Sequence, residues 1–477
     1  MTLKRKIISG FKWSLSTQAI KQCLQFVISV LLARFLHPKD FGLISMVLVF
    51  TSFASLLGDS GFEAAIVQKK QINEEHLSSV YLLNISIGLF LSTLFLFLSP
   101  LVSYFYEQPI LKNITMLISV TFFLRAFCIV PTAILKRAMD FKKLAMVEII
   151  SISASGILTI SLSLLNFGVW SLVIQQIVLY TTAIIVLHII IDWRPKLAFS
   201  KKAIGELTRF SGNLLGFNLV NFFSRFSDNL LIGKFLNAES LGIYTRTYNI
   251  MLIPVIQISL TLGKVMFPSL SKYQDDPEQA KGLYLKVIRG IAFFTFPTMI
   301  GLLVIADSFV IVLIGQRWID MIPVLRILCI VGLLQSVVST TGWIYNSQGR
   351  TDLLLKWGIC TTCIGIISFL IGIKFGSIIA VAYCYLTANI CLLYHNIIIP
   401  GKLIGLNFRE VVSAIKGPFF CGILMGIMLA FSGSYMVNCS HVLQLIINIV
   451  LGVIFYILLM AFFKVKAYSD IKALWGT

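Results

Sequence analysis

The apolar stretch SGNLLGFNLVNFFSRFSDNLLIGKFLNAESLG, residues 211–242, carries four polar side chains on one face. Asn218, Asn221, Arg225 and Asp228 are spaced by three, four and three positions, which puts them on one stripe of an α-helix. Moving Arg or Asp to the centre of a bilayer costs roughly 2.5 to 3.5 kcal/mol, so a membrane helix that carries both turns them away from lipid. The stripe therefore predicts a cavity lined by Arg225 and Asp228. The alternative is an Arg225–Asp228 ion pair that only packs helices together.

The same stretch has a gapless counterpart 200 positions earlier, at residues 11–42. The identical pairs include Phe35 with Phe235, Leu36 with Leu236 and Gly42 with Gly242. The polar stripe repeats too, because Gln18, Lys21 and Gln25 align with Asn218, Asn221 and Arg225. Internal repeats of this kind are typical of transporters whose two lobes share a central site. We therefore predict such a two-lobed transporter.

Composition excludes a soluble protein. Hydrophobic residues make up 58% of the 477 residues and charged residues only 12%, and the mean hydropathy is +0.92. That leaves too little polar surface for a water-soluble fold of this size. The chain is predicted to be a polytopic membrane protein.

Apolar segments of about 18 to 25 residues can span a bilayer as helices. Fourteen are present, and they predict an all-α membrane protein of two homologous six-helix lobes plus two C-terminal helices. The segments lie near residues 13–35, 41–58, 79–104, 113–134, 145–165, 168–191, 211–235, 241–263, 287–312, 321–345, 355–373, 376–399, 413–432 and 442–463.

The segments divide the chain into four parts. We predict an N-lobe over residues 1–192, an amphipathic interfacial linker over 193–210, a C-lobe over 211–400, and two extra helices with a cytoplasmic tail over 401–477. The polar run from Lys264 to Lys286 is predicted to be a cytoplasmic loop, and its Asp275-Asp276 pair a solvated part of that loop.

Lysine and arginine are concentrated in alternate loops, which predicts the orientation. With the N-terminus inside, the cytoplasmic set is Lys4, Arg5, Lys6, Lys69, Lys70, Lys136, Arg137, Lys142, Lys143, Arg194, Lys196, Lys201, Lys202, Lys264, Lys272, Lys281, Arg289, Arg350, Lys402, Arg409, Lys464, Lys466 and Lys472. The opposite loops hold few, namely Arg34, Lys39, Lys112, Lys234, Arg317 and Lys374. Both termini are therefore predicted to be cytoplasmic. The net charge of +19 points to anionic lipid headgroups, because no aromatic and basic groove for nucleic acid accompanies it.

No pattern for catalysis, a cofactor or a metal is evident. Cys360 and Cys363 form a C-x-x-C in an apolar helix, where buried small hydrophobes are favoured over a metal or redox site. The five histidines are dispersed, and no Ser/His/Asp or phosphate-loop motif is present. We predict no enzyme activity, no cofactor and no metal.

Arg125 and Arg326 lie deeper in predicted helices than Glu63, Arg246 and Asp307, which are near predicted helix ends, and are equally suited to a cavity or to helix packing. The candidate substrate-binding residues are Gln18, Lys21, Gln25, Arg125, Asn218, Asn221, Arg225, Asp228 and Arg326.

Several local motifs resemble a known family. They are ARFLHPKDFG (33–42), DSGFEAAIVQKK (59–70), LKRAMDFKK (135–143), FGVWSLV (167–173) and DNLLIGKFL (228–236), and they resemble bacterial Wzx-like polysaccharide exporters. The likeness runs from about residue 5 to the final helix and is densest before residue 275. The colanic-acid and teichuronic-acid exporters are the branch that it resembles most.

The resemblance implies membership of the multidrug, oligosaccharidyl-lipid and polysaccharide exporter superfamily. Its members have two six-helix lobes plus two helices, and this group flips undecaprenyl-pyrophosphate-linked oligosaccharide repeat units across the bacterial inner membrane. Such a function serves exopolysaccharide, O-antigen or similar surface glycan synthesis. A glycan polymerase and a chain-length regulator are the partners that it implies, and a monomer is the expected state.

The residues agree with that implication on chemical grounds. A shielded Arg offers a permanently charged, bidentate partner for a diphosphate, and the Gln and Asn amides suit sugar hydroxyls. A drug or cation antiporter of the same superfamily is the alternative, and an acidic cavity would indicate it. A membrane glycan polymerase or glycosyltransferase fits less well, since the chain lacks a long outer loop and an acidic catalytic motif.

Overall fold

The computed structural model describes residues 3–59, 61–69, 71–196, 199–200, 204–205, 222, 225–436 and 439–475. Every regular element within these ranges is helical, so the predicted all-α class is confirmed. The chain divides into two compact units, Met1–Gly242 and Ile243–Thr477. The lobe and linker boundaries predicted from the sequence remain predictions.

The first unit contains seven helices before residue 200, and we number them in chain order. They are α1 Leu3–Phe35, α2 Pro38–Asp59, α3 Phe62–Gln68, α4 Glu74–Tyr106, α5 Ile110–Arg137, α6 Phe141–Leu164 and α7 Val169–Ile190. Residues 225–235 are also helical, and the helix Ala238–Lys272 begins in this unit. Pro38 starts α2, where its missing N–H costs nothing, and Asp140 caps α6 by accepting the Lys143 backbone N–H at 3.1 Å.

Two of the motifs that carry the resemblance meet in space. The short helix α3 packs on α4 and α5 through a buried apolar cluster that includes Phe62, Ile66 and Val130. Arg137, at the end of α5, donates a hydrogen bond to the carbonyl oxygen of Ile66 at 2.8 Å. The described residues 61–69 therefore pack against the segment 135–143. The sequence analysis did not predict α3.

The described start of the predicted linker is tied to the first turns of α4. Trp193 packs edge-on against Tyr81, with 5.6 Å between the ring centroids, and its indole N–H donates to Glu74. The backbone N–H of Lys196 donates to the Ser78 hydroxyl at 3.1 Å. Residues 191–196 are not helical, and most of the remaining linker lies outside the described residues.

The second unit continues the helix Ala238–Lys272 and adds further helices. The long ones are Pro277–Val304, Met321–Val338, Thr351–Lys374, Ile378–Gly401, Phe408–Tyr435 and His441–Phe462. The shorter elements are Ala306–Phe309, the π-helical turn Val310–Ile314, Gln316–Trp318, Thr341–Ser347, Lys402–Ile404 and Lys466–Trp475.

The prediction of a loop from Lys264 to Lys286 was wrong. The preceding helix continues to Lys272, and the next begins at Pro277, so only residues 273–276 connect them. Asp276 caps the second helix by accepting the Gln279 backbone N–H at 3.1 Å, and Pro277 favours the first turn. The charged residues between Lys264 and Lys286 therefore lie mainly in the end of one helix and the start of the next.

Ten helices within the described residues are long and apolar enough to cross a membrane. The helices α1, α2 and Ala238–Lys272, with 33, 22 and 35 residues, also exceed the roughly 20 residues that a bilayer needs. The protein is therefore a multi-pass membrane protein. The count of fourteen spans stays a prediction, because part of the chain between residues 197 and 224 lies outside the description.

Candidate substrate site

Arg225 is exposed at the start of the helical residues 225–235 and has no ion-pair partner in the part of the chain that the structure describes. Asp228, one turn later, accepts the backbone N–H of Asn229 at 2.7 Å through Oδ1. Among the ion pairs of the described residues there is none between Arg225 and Asp228, which was the alternative interpretation of their spacing. Phe222 lies near by and packs edge-on against Phe53 of α2, with 5.4 Å between the ring centroids.

The α1 residues of the polar stripe share one side of that helix. Gln18 and Gln25 are exposed, and Lys21 lies between them, partly buried. The Lys21 ammonium donates to Glu148 of α6 at 3.2 Å, and both side chains keep about a third of their exposure, at 28% and 38%. Two turns further along, Ile28 of α1 packs against Gly156 of α6. The packing of α1 on α6 thus brings a carboxylate to the one cation of this face.

Arg125 lies beside a small cavity between α2, α4 and α5. The cavity has a volume of about 20 Å³ and is also lined by Ser55 and Asn84. The Asn84 side chain is 1% exposed, and neither of its amide atoms has a hydrogen-bond partner among the described residues. A cavity of this size has room for one water molecule, which would satisfy the amide.

Arg326 belongs to the second unit and has a partner of its own. Its guanidinium donates to the carboxylate of Asp307, and both side chains are about half exposed. This pairing leaves Arg326 fewer free donors for a substrate than Arg225 has.

Six of the nine candidate residues lie in the described part of the first unit, and Arg326 lies in the second. Asn218 and Asn221 lie outside the described residues. The sequence analysis did not assign Glu148 and Asn84 to the site. Each is a polar residue within an apolar helix, which is the signal that could have drawn attention to them.

A larger, apolar cavity of about 570 Å³ lies between α2 and α4, with one ion pair at its edge. There the Lys234 ammonium donates to Glu107 at 2.8 Å and lies 5.5 Å from the ring centroid of Phe105. The hydrogen bond and the charge of Lys234 lower the pKa of the Glu107 carboxyl.

The described residues contain no group of three His, Cys, Asp or Glu side chains that could hold a metal ion. Cys360 and Cys363 carry free thiols and are exposed. The prediction that they are buried was wrong, because most of the helix Thr351–Lys374 faces outward.

Comparisons with known proteins give a consistent result. A family model described as "Polysaccharide biosynthesis protein" matches residues 31–323. Teichuronic acid biosynthesis protein TuaB of Bacillus subtilis is 29% identical and covers 99% of this chain and 98% of its own. Lipopolysaccharide biosynthesis protein WzxC of Escherichia coli is 28% identical, with 88% and 86% covered. A solved structure of lipid II flippase MurJ, in an inward closed conformation, matches with a TM-score of 0.77 at 17% identity and covers 97% of this chain and 99% of its own. The chain therefore has the same fold as that structure.

Proposed function

We propose, since this chain belongs to the polysaccharide biosynthesis protein family, that it flips a lipid-linked oligosaccharide across the bacterial inner membrane. The substrate would be an undecaprenyl-pyrophosphate-linked repeat unit, and transport would proceed by alternating access. TuaB is described as a teichuronic acid biosynthesis protein, WzxC as a lipopolysaccharide biosynthesis protein and MurJ as a lipid II flippase, and these descriptions support the proposal. Pro254 and Pro297 lie within long helices, where a missing backbone donor favours bending between states.

The observation that carries the proposal is the exposed guanidinium of Arg225, which has no ion-pair partner among the described residues and lies in a largely apolar segment. A diphosphate that leaves cytoplasmic water needs replacement partners, and a planar guanidinium can give two parallel hydrogen bonds to it. The exposed amides of Gln18 and Gln25 supply donors and acceptors for sugar hydroxyls. Asn218 and Asn221, which lie outside the described residues, remain candidate substrate-binding residues on the basis of the sequence.

Lys21 would be a second cation for the diphosphate, positioned by Glu148. The 3.2 Å contact holds the ammonium on the face that carries Gln18 and Gln25. A bound phosphate would then share Lys21 with Glu148 or displace it, as charge-assisted hydrogen bonds to phosphate are strong.

A variant in which Lys21 and Glu148 exchange their charges distinguishes a role of Lys21 in substrate binding from a role in helix packing. In the double variant Lys21→Glu with Glu148→Lys, the ion pair can re-form, so thermal stability in detergent should be retained. Transport should fall more than tenfold, because a charged hydrogen bond contributes about 1.5 to 3 kcal/mol. Full transport by the exchanged variant would limit Lys21 to a structural role.

Ligand binding offers a direct test of the proposed substrate class. Undecaprenyl diphosphate should raise the thermal unfolding midpoint of the purified protein, since a ligand that binds only the folded state stabilises it. Undecaprenol, which has the same chain and no phosphate, should have a much smaller effect. Stabilisation by lipophilic cations instead of the diphosphate would favour the drug or cation antiporter.

The proposed orientation has both termini in the cytoplasm, because lysine and arginine concentrate in the loops on that side. Reporter fusions after Lys143, Lys202 and Thr477 should therefore report a cytoplasmic location. Fusions near Lys39 and Ser434 should report the outer side. An odd number of crossings between residues 143 and 202 would contradict this topology.

We also propose that the chain works as a monomer and passes its cargo to a glycan polymerase with a chain-length regulator. These partners follow from the substrate class, since a flipped repeat unit is the material that a polymerase joins.

A further inference from the structure

A groove with charged and apolar walls lies within the second unit and has no role in the proposed transport step. Its volume is about 760 Å³, within the roughly 300 to 1,000 Å³ of small-molecule sites. It is formed by the helices Pro277–Val304 and Phe408–Tyr435 and by the turn that joins His441–Phe462 to Lys466–Trp475. The lining residues that matter here are Arg289, Glu410, Lys416, Phe420, Phe463 and Lys466.

The groove carries an excess of positive charge. Glu410 is engaged by the Lys281 ammonium at 3.2 Å and by the backbone N–H of Asn407 at 2.8 Å. Arg289 donates to Asp470 at 2.9 Å. Lys416 and Lys466, by contrast, are exposed and have no acidic partner among the residues described. Two lysines thus present uncompensated charge to whatever fills the groove.

The remaining wall is aromatic and apolar. Phe420 and Phe463 pack edge-on with 5.8 Å between their ring centroids, and they are 53% and 47% exposed. Phe420 lies in a helix that is long and apolar enough to cross a membrane, and Phe463 directly follows another such helix. Exposed aromatic rings beside unpaired lysines match an amphiphile that has an anionic head and a hydrocarbon chain.

The groove also lies where two helices that can cross a membrane begin or end, which is where lipid headgroups are expected. Lys416 comes two turns after the start of the helix Phe408–Tyr435, and Lys466 follows shortly after the end of His441–Phe462. Arg409 and Lys464 lie at the same helix ends, and this concentration of positive charge is typical of the cytoplasmic side.

We propose that this groove binds one anionic phospholipid of the surrounding membrane. Its phosphodiester lies between Lys416 and Lys466, and one acyl chain lies along Phe420 and Phe463. A lipid-linked diphosphate shares the phosphate chemistry, but the membrane's own lipid is the occupant that fits better. The two free cations are lysines, which act as point charges for a singly charged phosphodiester, whereas the guanidinium of Arg289 that suits a diphosphate is held by Asp470.

Native mass spectrometry of the full chain in detergent, titrated with phosphatidylglycerol, tests the proposal. Lys416→Gln with Lys466→Gln should weaken phosphatidylglycerol binding about tenfold to thirtyfold, as expected for two lysines near an anionic lipid. Lys416→Arg with Lys466→Arg should retain binding. The matched control is Lys402→Gln with Lys472→Gln, which removes two exposed lysines that do not line the groove and should change binding less than about twofold.

Phosphatidylcholine with the same acyl chains should bind weakly to every variant. Equal loss of phosphatidylglycerol binding in the groove and control variants would overturn the proposal, as would equal binding of the two phospholipids by the wild type. Stronger binding of undecaprenyl diphosphate than of phosphatidylglycerol would indicate that the groove binds the transported lipid, and it would contradict the proposed phospholipid occupant.

Discussion

Gly42→Ala should destabilise the protein and abolish transport, although it adds a single methyl group. A Cβ atom on Gly42 would lie 1.6 Å from the carbonyl oxygen of Ala238, which is far inside van der Waals contact. The clash is with backbone, so no rotamer change can relieve it, and the two helix starts must separate. We expect a cost of about 3 kcal/mol, at the upper end for overpacked cores.

The glycine at the start of the other helix makes an equivalent close contact, so a second substitution tests the same prediction. A Cβ on Gly242 would lie 1.8 Å from the carbonyl oxygen of Pro38. Gly42 and Gly242, like Pro38 and Ala238, occupy equivalent positions of the 200-residue repeat. Gly242→Ala should therefore have the same effect as Gly42→Ala, because the same two helix starts are forced apart.

Thermal unfolding in detergent and transport in vesicles measure the two effects. The unfolding midpoint should fall by about 3 °C for a loss of about 3 kcal/mol, because the unfolding entropy of a chain of 477 residues is about 1 kcal/mol/K. Gly290→Ala is the matched control, since nothing lies within 4 Å of its added methyl group and alanine favours a helix. A midpoint for Gly42→Ala that equals that of Gly290→Ala would show that the close contact does not limit stability.

Arg225→Ala should reduce transport about a hundredfold or more while the protein stays in the membrane. Two charged hydrogen bonds to a diphosphate contribute roughly 3 kcal/mol together, and an apolar substitution makes this helix easier to insert. Arg225→Lys should be intermediate, because an ammonium retains the charge and loses the planar fork.

Two further variants distinguish binding from packing. Arg409→Ala removes an exposed arginine in the first turn of the helix Phe408–Tyr435 and should leave transport unchanged. The double variant Arg225→Ala with Asp228→Ala should remain inactive. Recovery of transport in that double variant would mean that Arg225 serves only to balance Asp228.

The fold was largely predictable because apolar segments long enough to cross a membrane leave few alternatives to helices. The ends of the helices were less predictable. Residues 264–272 and 277–286 contain charged side chains and yet are helical, because Met266, Leu270, Ala280 and Tyr284 among them pack into a buried apolar cluster. The terminal helix Lys466–Trp475 and the break after Val304 were also missed, because both are set by local packing.

The site was predictable to a smaller extent. Spacing placed Arg225 and Asp228 on one face, but only the structure indicates that they form no ion pair. The pairing of Lys21 with Glu148 joins residues 127 positions apart, which no local pattern encodes. The repeat identified Gly42 and Gly242 as equivalent residues, and their contact with each other's helix depends on tertiary packing.

Movement of a lipid-linked oligosaccharide across reconstituted vesicles tests the central claim most directly. An undecaprenyl-pyrophosphate-linked glycan is placed in both leaflets, and a membrane-impermeant reagent that modifies sugars is added outside. With the wild-type protein the reagent should reach nearly all of the glycan, whereas protein-free vesicles and Arg225→Ala should protect the inner-leaflet half. Equal protection with and without the wild-type protein would contradict the proposed function.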